Sequence, residues 1–194
     1  MKKTKEQITK KAIELFKSEG YDNVSIERIC SECGVTTGSF YYHFQSKRDV
    51  IMCYITAYVE DVPDPINNII LEPSRLEQLW ILYRDRITHA TELGVDILKL
   101  FFINNFESQN VGNNELYTSL PDAHRSRSLS LKITEIGQQT GEIRNDKSSA
   151  HLNNLFLQVE LSCLTGWATQ GGNYDLIPEI RAYFETIFMP VRSN

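Results

Sequence analysis

Apolar positions recur at helical spacing almost everywhere, and no stretch alternates as a strand would. Ile8, Ala12, Leu15 and Phe16 line one face of a first helix, about Lys5 to Ser18, which Gly20 ends. Ser25, a good N-cap, opens a second helix that buries Ile29 and Cys30. Gly34-Val35 makes a tight turn into a short third helix, Thr36 to about Phe44. Ser46 begins a fourth helix, with Asp49 completing a capping box; it runs to about Glu60, and Pro63 and Pro65 stop it. Further on, Ser74 and Glu77 predict a second capping box. It opens a helix with Leu76, Leu79, Trp80, Tyr83, Ile87 and Ala90 on one side, broken by Gly94. Asp96 to about Ser108 is apolar nearly all round and reads as a buried helix. Another follows from about Pro121 to Thr140. Asp146 is expected to cap a long helix reaching about Thr169. The last runs from Asp175 to about Phe188. The pattern predicts an all-α chain with a break near residue 45 and a connecting helix over 46–60.

Two short helices joined by a glycine-containing turn form a helix-turn-helix candidate. Gly34 permits the positive φ of the turn, and Val35 plugs the space between the helices. The third helix then exposes Thr36, Thr37, Ser39, Tyr41, Tyr42 and His43, while Phe40 and Phe44 point inward. Lys47, in the first turn of the next helix, is placed to meet a phosphate together with the helix N-terminal amides.

Charge sharpens the picture. The chain of 194 residues has a net charge of −5, which alone argues against nucleic acid. Residues 1–50, however, hold nine basic against seven acidic side chains, leaving eleven against eighteen for the remainder. An acidic body with a small basic N-terminal unit fits a tethered DNA-binding module. Four cysteines at 30, 33, 53 and 163 do not make a disulfide scaffold. The longest unbroken apolar run is Val50 to Ile55, far short of a membrane span, and no leader-like segment opens the chain. The expected location is the cytoplasm.

The segment from Val24 to Val50 resembles the DNA-binding domain of the TetR family of bacterial transcriptional regulators. Ser25, Ile29, Gly34, Val35, Thr36, Gly38, Phe40, Tyr41, Tyr42, His43, Phe44, Ser46, Lys47 and Asp49 carry the resemblance. Beyond residue 60 it rests on length, helix count and the Gly-Glu-Ile-Arg-Asn-Asp segment at 141–146. It implies a homodimer with a helix-turn-helix domain, 1–45, and a helical regulatory domain, 46–194. Within the latter, 46–60 connects and 61–194 binds ligand and dimerises. By resemblance, Thr37, Gly38 and Ser39 face base edges, with Gly38 only allowing close approach. Tyr41 is assigned a thymine methyl or a phosphate, and Ser25, Thr36, Tyr42, His43 and Lys47 are assigned phosphates. Cys30 and Cys33 stand where small residues are usual, and Glu27 where some members carry a basic one.

Other residues carry chemistry of their own. Cys30 and Cys33, one turn apart, lack two further ligands for zinc and read as packed core. Neither a metal nor any other cofactor is expected. There is no nucleophile elbow, phosphate loop or metalloprotease motif, so no catalytic residue is assigned. Asn104 and Asn105 need polar partners inside their apolar helix. With Tyr58, Trp80, Tyr83, Phe101 and Phe102 they form a candidate site for a mainly apolar effector. The last two helices read as a two-fold interface built from Leu152, Phe156, Val159, Cys163 and Gly166 with Ile180, Tyr183, Phe184, Ile187 and Phe188. The expected function is a ligand-responsive dimeric repressor released from a palindromic operator. An architectural DNA-binding protein without an effector, and an all-helical enzyme, stand as alternatives.

Overall fold

A computed structural model describes the backbone of residues 2–60, 66–107 and 123–188 and the side chains of 3–58, 68–103 and 126–188. Among the described residues the secondary structure is helical, in ten segments. The first four are α1 (Lys2–Glu19), α2 (Ile26–Cys33), α3 (Thr37–His43) and α4 (Lys47–Glu60). Then come α5 (Ile66–Leu71), α6 (Arg75–Glu92), α7 (Val95–Glu107), α8 (Ala123–Thr140), α9 (Ser149–Thr169) and α10 (Ile177–Phe188). None of these is long and apolar enough to cross a membrane.

Local chemistry sets the N-terminal boundaries. The Ser25 hydroxyl accepts the Arg28 amide at 3.1 Å and starts α2. Gly34 ends it in the left-handed region, φ 64°, and Val35 N–H returns to the Cys30 carbonyl at 3.0 Å. Thr36 then caps α3 by accepting the Ser39 amide at 3.2 Å. At the start of α4 the expected capping box is complete. Asp49 accepts the Gln45 and Ser46 amides, and the Ser46 hydroxyl accepts the Asp49 amide. Ile8, Ala12, Phe16, Ile29, Phe40 and Val50 have almost no exposure, so α1 to α4 share one core. α4 packs on both α1 and α7.

The C-terminal half stacks α6 against α8 and α10, and α9 against α7, α8 and α10. Its centre is a ring cluster. Tyr83 lies 4.5 Å from Phe156, Phe184 lies 4.8 Å from Phe188, and Trp80 lies 5.3 Å from Phe184.

The structure corrects five expectations. α5 has no counterpart in the sequence reading, because its six residues sit between Pro65 and Pro73 and are too few to set a period. Ser148, not Asp146, caps α9, through the His151 amide at 3.2 Å. The second capping box is half formed. Ser74 accepts the Glu77 amide, but the Glu77 carboxylate is held by Arg181, and Glu72 takes the Ser74 amide instead. α7 is not buried all round, since Ile103 is 48% exposed. Most importantly, Leu152, Phe156, Ile180, Phe184, Ile187 and Phe188 are buried within this one chain. They are where α9 and α10 close on α6, so they cannot form a face for a second copy. Of the residues read as interface, Tyr183 is exposed and Val159, Cys163 and Gly166 are half-buried.

Candidate nucleic-acid interface

α3 is short, and its two faces differ sharply. Phe40 and Phe44 are buried beneath it, whereas Tyr41 and Tyr42 are 57% and 67% exposed. Thr36, Thr37 and Gly38 are exposed at its N-terminus, and Ser39 and His43 are half-buried. The outer surface therefore offers hydroxyls, two phenols and an imidazole that stands edge-on to Tyr42 at 5.0 Å. A Cβ on Gly38 would meet only the Thr36 hydroxyl, at 3.7 Å. No internal crowding thus demands glycine there, and its outward side is open.

Ser25 and Thr36 both serve as caps, which leaves their second lone pair able to accept but commits their geometry. Lys47 is not placed as the sequence reading assumed. Its ammonium turns inward, donates to the Tyr21 carbonyl at 2.6 Å and the Val24 carbonyl at 2.7 Å, and sits 4.2 Å from the Tyr21 ring centroid. Burial lowers its pKa, with Asp22 opposing. Two of its three donors are spent on the α1–α2 loop, so Lys47 clamps that loop to α4 rather than standing ready for a phosphate. Lys5, one of the basic N-terminal residues, lies 5.6 Å from the Phe44 ring centroid, beside the end of α3. Cys30 and Cys33 are buried, and burial raises both thiols, as expected of inert core sulfur.

The residues from Ser25 to Lys47 thus form a compact two-helix unit with an exposed polar second helix. The family model for bacterial regulatory proteins of the tetR family matches residues 8–51. Over those residues the chain is similar to the TetR family. Among curated relatives, the transcriptional regulator YerO of Bacillus subtilis is 36% identical over 69 residues, 36% of this chain and 24% of that protein. The first relatives are thus matched over less than two thirds of their own length. UidR of Escherichia coli, also a transcriptional regulator, is 25% identical over 172 residues, 83% of this chain and 80% of its own length. Among solved structures, Thermus thermophilus FadR, a TetR-family repressor in complex with lauroyl-CoA, has a TM-score of 0.67. The match covers 98% of this chain and 97% of that one at 21% identity, a likeness of fold.

The residues read as an effector site do not all converge. Trp80 and Tyr83 belong to the ring cluster with Phe156, Phe184 and Phe188. Phe101 and Phe102 are buried on α7, 5.7 Å apart. Asn104 and Asn105 lie on α7, but their side chains fall outside the described residues. Tyr58 is on α4, where its hydroxyl donates to Glu92 at 2.9 Å; burial first, then Glu92, pushes it up to about 12. His89 contacts the same carboxylate oxygen at 3.0 Å. That cluster joins α4 to the end of α6.

Sequence reasoning missed a polar seam inside the C-terminal half. Glu160 of α9 has no exposure at all, and Arg86 of α6 grips it through both carboxylate oxygens. Tyr83 donates to the Asn153 carboxamide, whose nitrogen donates to Thr134 at 2.9 Å. A charged residue on an amphipathic helix is read as solvated, so only its position between helices reveals the burial.

Proposed function

We propose that this protein is a dimeric transcriptional repressor that leaves a palindromic operator when a small molecule binds its helical regulatory domain. The exposed face of α3 carries the reading. Thr37, Gly38 and Ser39 start the helix that would enter the major groove, Tyr41 reaches a thymine methyl or a phosphate, and Tyr42, His43, Thr36 and Ser25 flank the backbone. The open side of Gly38 favours close approach to bases. Lys5 and the exposed Lys3 replace Lys47 as sources of electrostatic affinity.

The domain division supports a mechanical release. Residues 1–45 read DNA, 46–60 connect, and 61–194 hold ligand and partner. α4 begins just after α3 and is gripped near its end by Glu92 through Tyr58. A ligand that shifts α6 or α7 would move α4 and change the spacing of the two recognition helices. The expected loss of affinity is a coupling of about 1–3 kcal/mol. The lauroyl-CoA bound by the Thermus neighbour supports an effector site in this fold.

For the two-fold, the outer side of α9 now replaces the buried set. Leu155 is exposed, and Val159, Cys163 and Gly166 follow it at helical spacing with Tyr183 alongside on α10. A mobility-shift titration of the DNA upstream of its own gene against shuffled DNA tests the reading. A shift specific to the native sequence is expected; equal affinity for both would end it.

A further inference from the structure

The last turn of α6 breaks a local rule. Glu92 ends that helix, where a carboxylate meets the negative end of the helix dipole. Tyr58 sits in the last turn of α4, so the C-terminal ends of α4 and α6 come together there. One oxygen of Glu92 carries two contacts. The Tyr58 hydroxyl donates to it at 2.9 Å, and His89 Nδ1 lies 3.0 Å from it. An ionised carboxylate only accepts, so Nδ1 carries the hydrogen, in the neutral ring as in the imidazolium. The Tyr58 and His89 rings stand edge to face with centroids 6.5 Å apart. Tyr58 in turn lies 6.2 Å from Tyr54, and the Lys17 ammonium of α1 lies 5.9 Å from the Tyr54 ring centroid. A line of contacts thus runs from α6 through α4 to α1.

Histidine is the side chain that ordinarily changes charge between pH 5 and 8. With His89 protonated, Glu92 has a counter-charge, and a cation occupies a helix C-terminus that favours one. With His89 neutral, the Glu92 charge faces two negative helix ends with hydrogen bonds alone. Its side chain is 54% exposed, so it can swing into water, and Tyr58 then loses its acceptor. The surrounding elements bring further charged groups. On α6, Asp85 lies one turn before His89 and pairs with Arg84 at 3.1 Å, and Arg86 holds Glu160 of α9. α7 carries Asp96 and Lys99 in its first two turns, one charge of each sign. Arg127 of α8 donates to Asn154 at 3.1 Å, Arg181 of α10 holds Glu77 at the far end of α6, and α5 has no titratable side chain. At the acid end, Glu92 keeps its charge to below the ordinary 4.5, held there by the Tyr58 hydroxyl first and His89 next.

We propose that Tyr58, His89 and Glu92 form a pH-sensitive latch between α4 and α6, tight when His89 is protonated and slack when it is neutral. Its effect on DNA, though not the latch itself, rests on the reading of α4 as the connection to a DNA-binding unit. A tight latch holds α4, and with it α3, in one arrangement, so less ordering remains to be done when two recognition helices meet an operator. The latch therefore favours operator binding at pH 6 over pH 8.

Hydrogen exchange of the full-length protein, followed by mass spectrometry at pH 6 and pH 8 and corrected for the chemical rate, reads the latch directly. Residues 54–60 should exchange about two- to fivefold faster at pH 8 than at pH 6, the range expected of a partly exposed ion pair. Tyr58→Phe and His89→Gln should each erase that difference while melting near wild type at pH 7. Equal rates at both pH values in wild type, or a difference that survives in both variants, overturns the latch. Operator affinity is measured at the same pH values, with His43→Gln to remove the histidine on α3. Tighter binding at pH 6 by a similar factor, lost in Tyr58→Phe but kept in His43→Gln, ties the latch to DNA. A latch seen by exchange without that effect overturns its regulatory role. Absence of operator binding at either pH removes the regulator reading instead, and exchange alone then decides the latch.

Discussion

Replacing Lys47 with Met separates two roles that the same side chain was able to play. In the structure its ammonium holds two backbone carbonyls, from Tyr21 and Val24, at 2.6 and 2.7 Å, and lies over the Tyr21 ring. Hydrogen bonds to a charged group are worth about 1.5–3 kcal/mol each. The ring contact adds about 0.5–1 kcal/mol. Methionine keeps the apolar stem but abandons both carbonyls, while freeing the protein from desolvating an ammonium. That relief, visible in the lowered pKa of Lys47, offsets a large part of the gain. A net loss of about 2 kcal/mol results, which for a chain of this size lowers Tm by about 4–8 °C. The assay pairs thermal unfolding with operator binding at several salt concentrations. Each phosphate neutralised contributes about −0.9 to the slope of log K against log salt. A clamp predicts lower Tm with an unchanged slope. An unaltered Tm together with a slope shallower by about one unit would refute the reasoning and return Lys47 to the DNA backbone.

Three further outcomes follow from named contacts. Phe184→Ala, inside the ring cluster with Trp80, Tyr83, Phe156 and Phe188, should cost about 3–5 kcal/mol in chemical denaturation, whereas Val159→Glu should leave the fold intact and yield a monomer by light scattering. A stable Phe184→Ala or a dimeric Val159→Glu would contradict that division. Tyr58 titrates near 12 when folded against an ordinary 10.0, so the unfolded chain loses this proton first. The corresponding stability is complete below pH 10 and is lost as pH rises toward 12, and Tyr58→Phe should flatten that limb in an alkaline denaturation series. Gly34→Ala meets no neighbour within 4 Å, so its cost, about 1–2 kcal/mol in thermal or urea unfolding, should be backbone strain alone at φ 64°; a neutral substitution would show that the turn relaxes freely.

The helix-turn-helix was legible because its signals are local. Ser25, Gly34, Thr36, Ser46 and Asp49 each act on partners within five residues, so their order in the chain already encodes the caps and the turn. Lys47 was misjudged because its carbonyl partners lie 26 and 23 residues earlier. Phe184 and Phe188 show a related gap: periodicity identifies an apolar face, but not which neighbour covers it. Here α6 does, where a second chain was expected. The Arg86–Glu160 pair spans 74 residues, and nothing in either helix pattern marks those two charges as enclosed. Trp80 and Tyr83, read from the sequence as lining an effector site, have the same history, being aromatic positions that the fold used for its own centre.

The most direct test of the central claim is selection of binding sites from random duplex DNA by wild-type protein. The recognition helices of a two-fold dimer must meet successive major grooves, so enriched sequences should form an inverted repeat with half-sites about 34–36 Å apart, or a multiple of it. Thr37→Ala, at the exposed start of α3, should degrade the consensus at one or two symmetric positions without abolishing binding. Enrichment of no sequence, or of a single site without symmetry, would contradict the account.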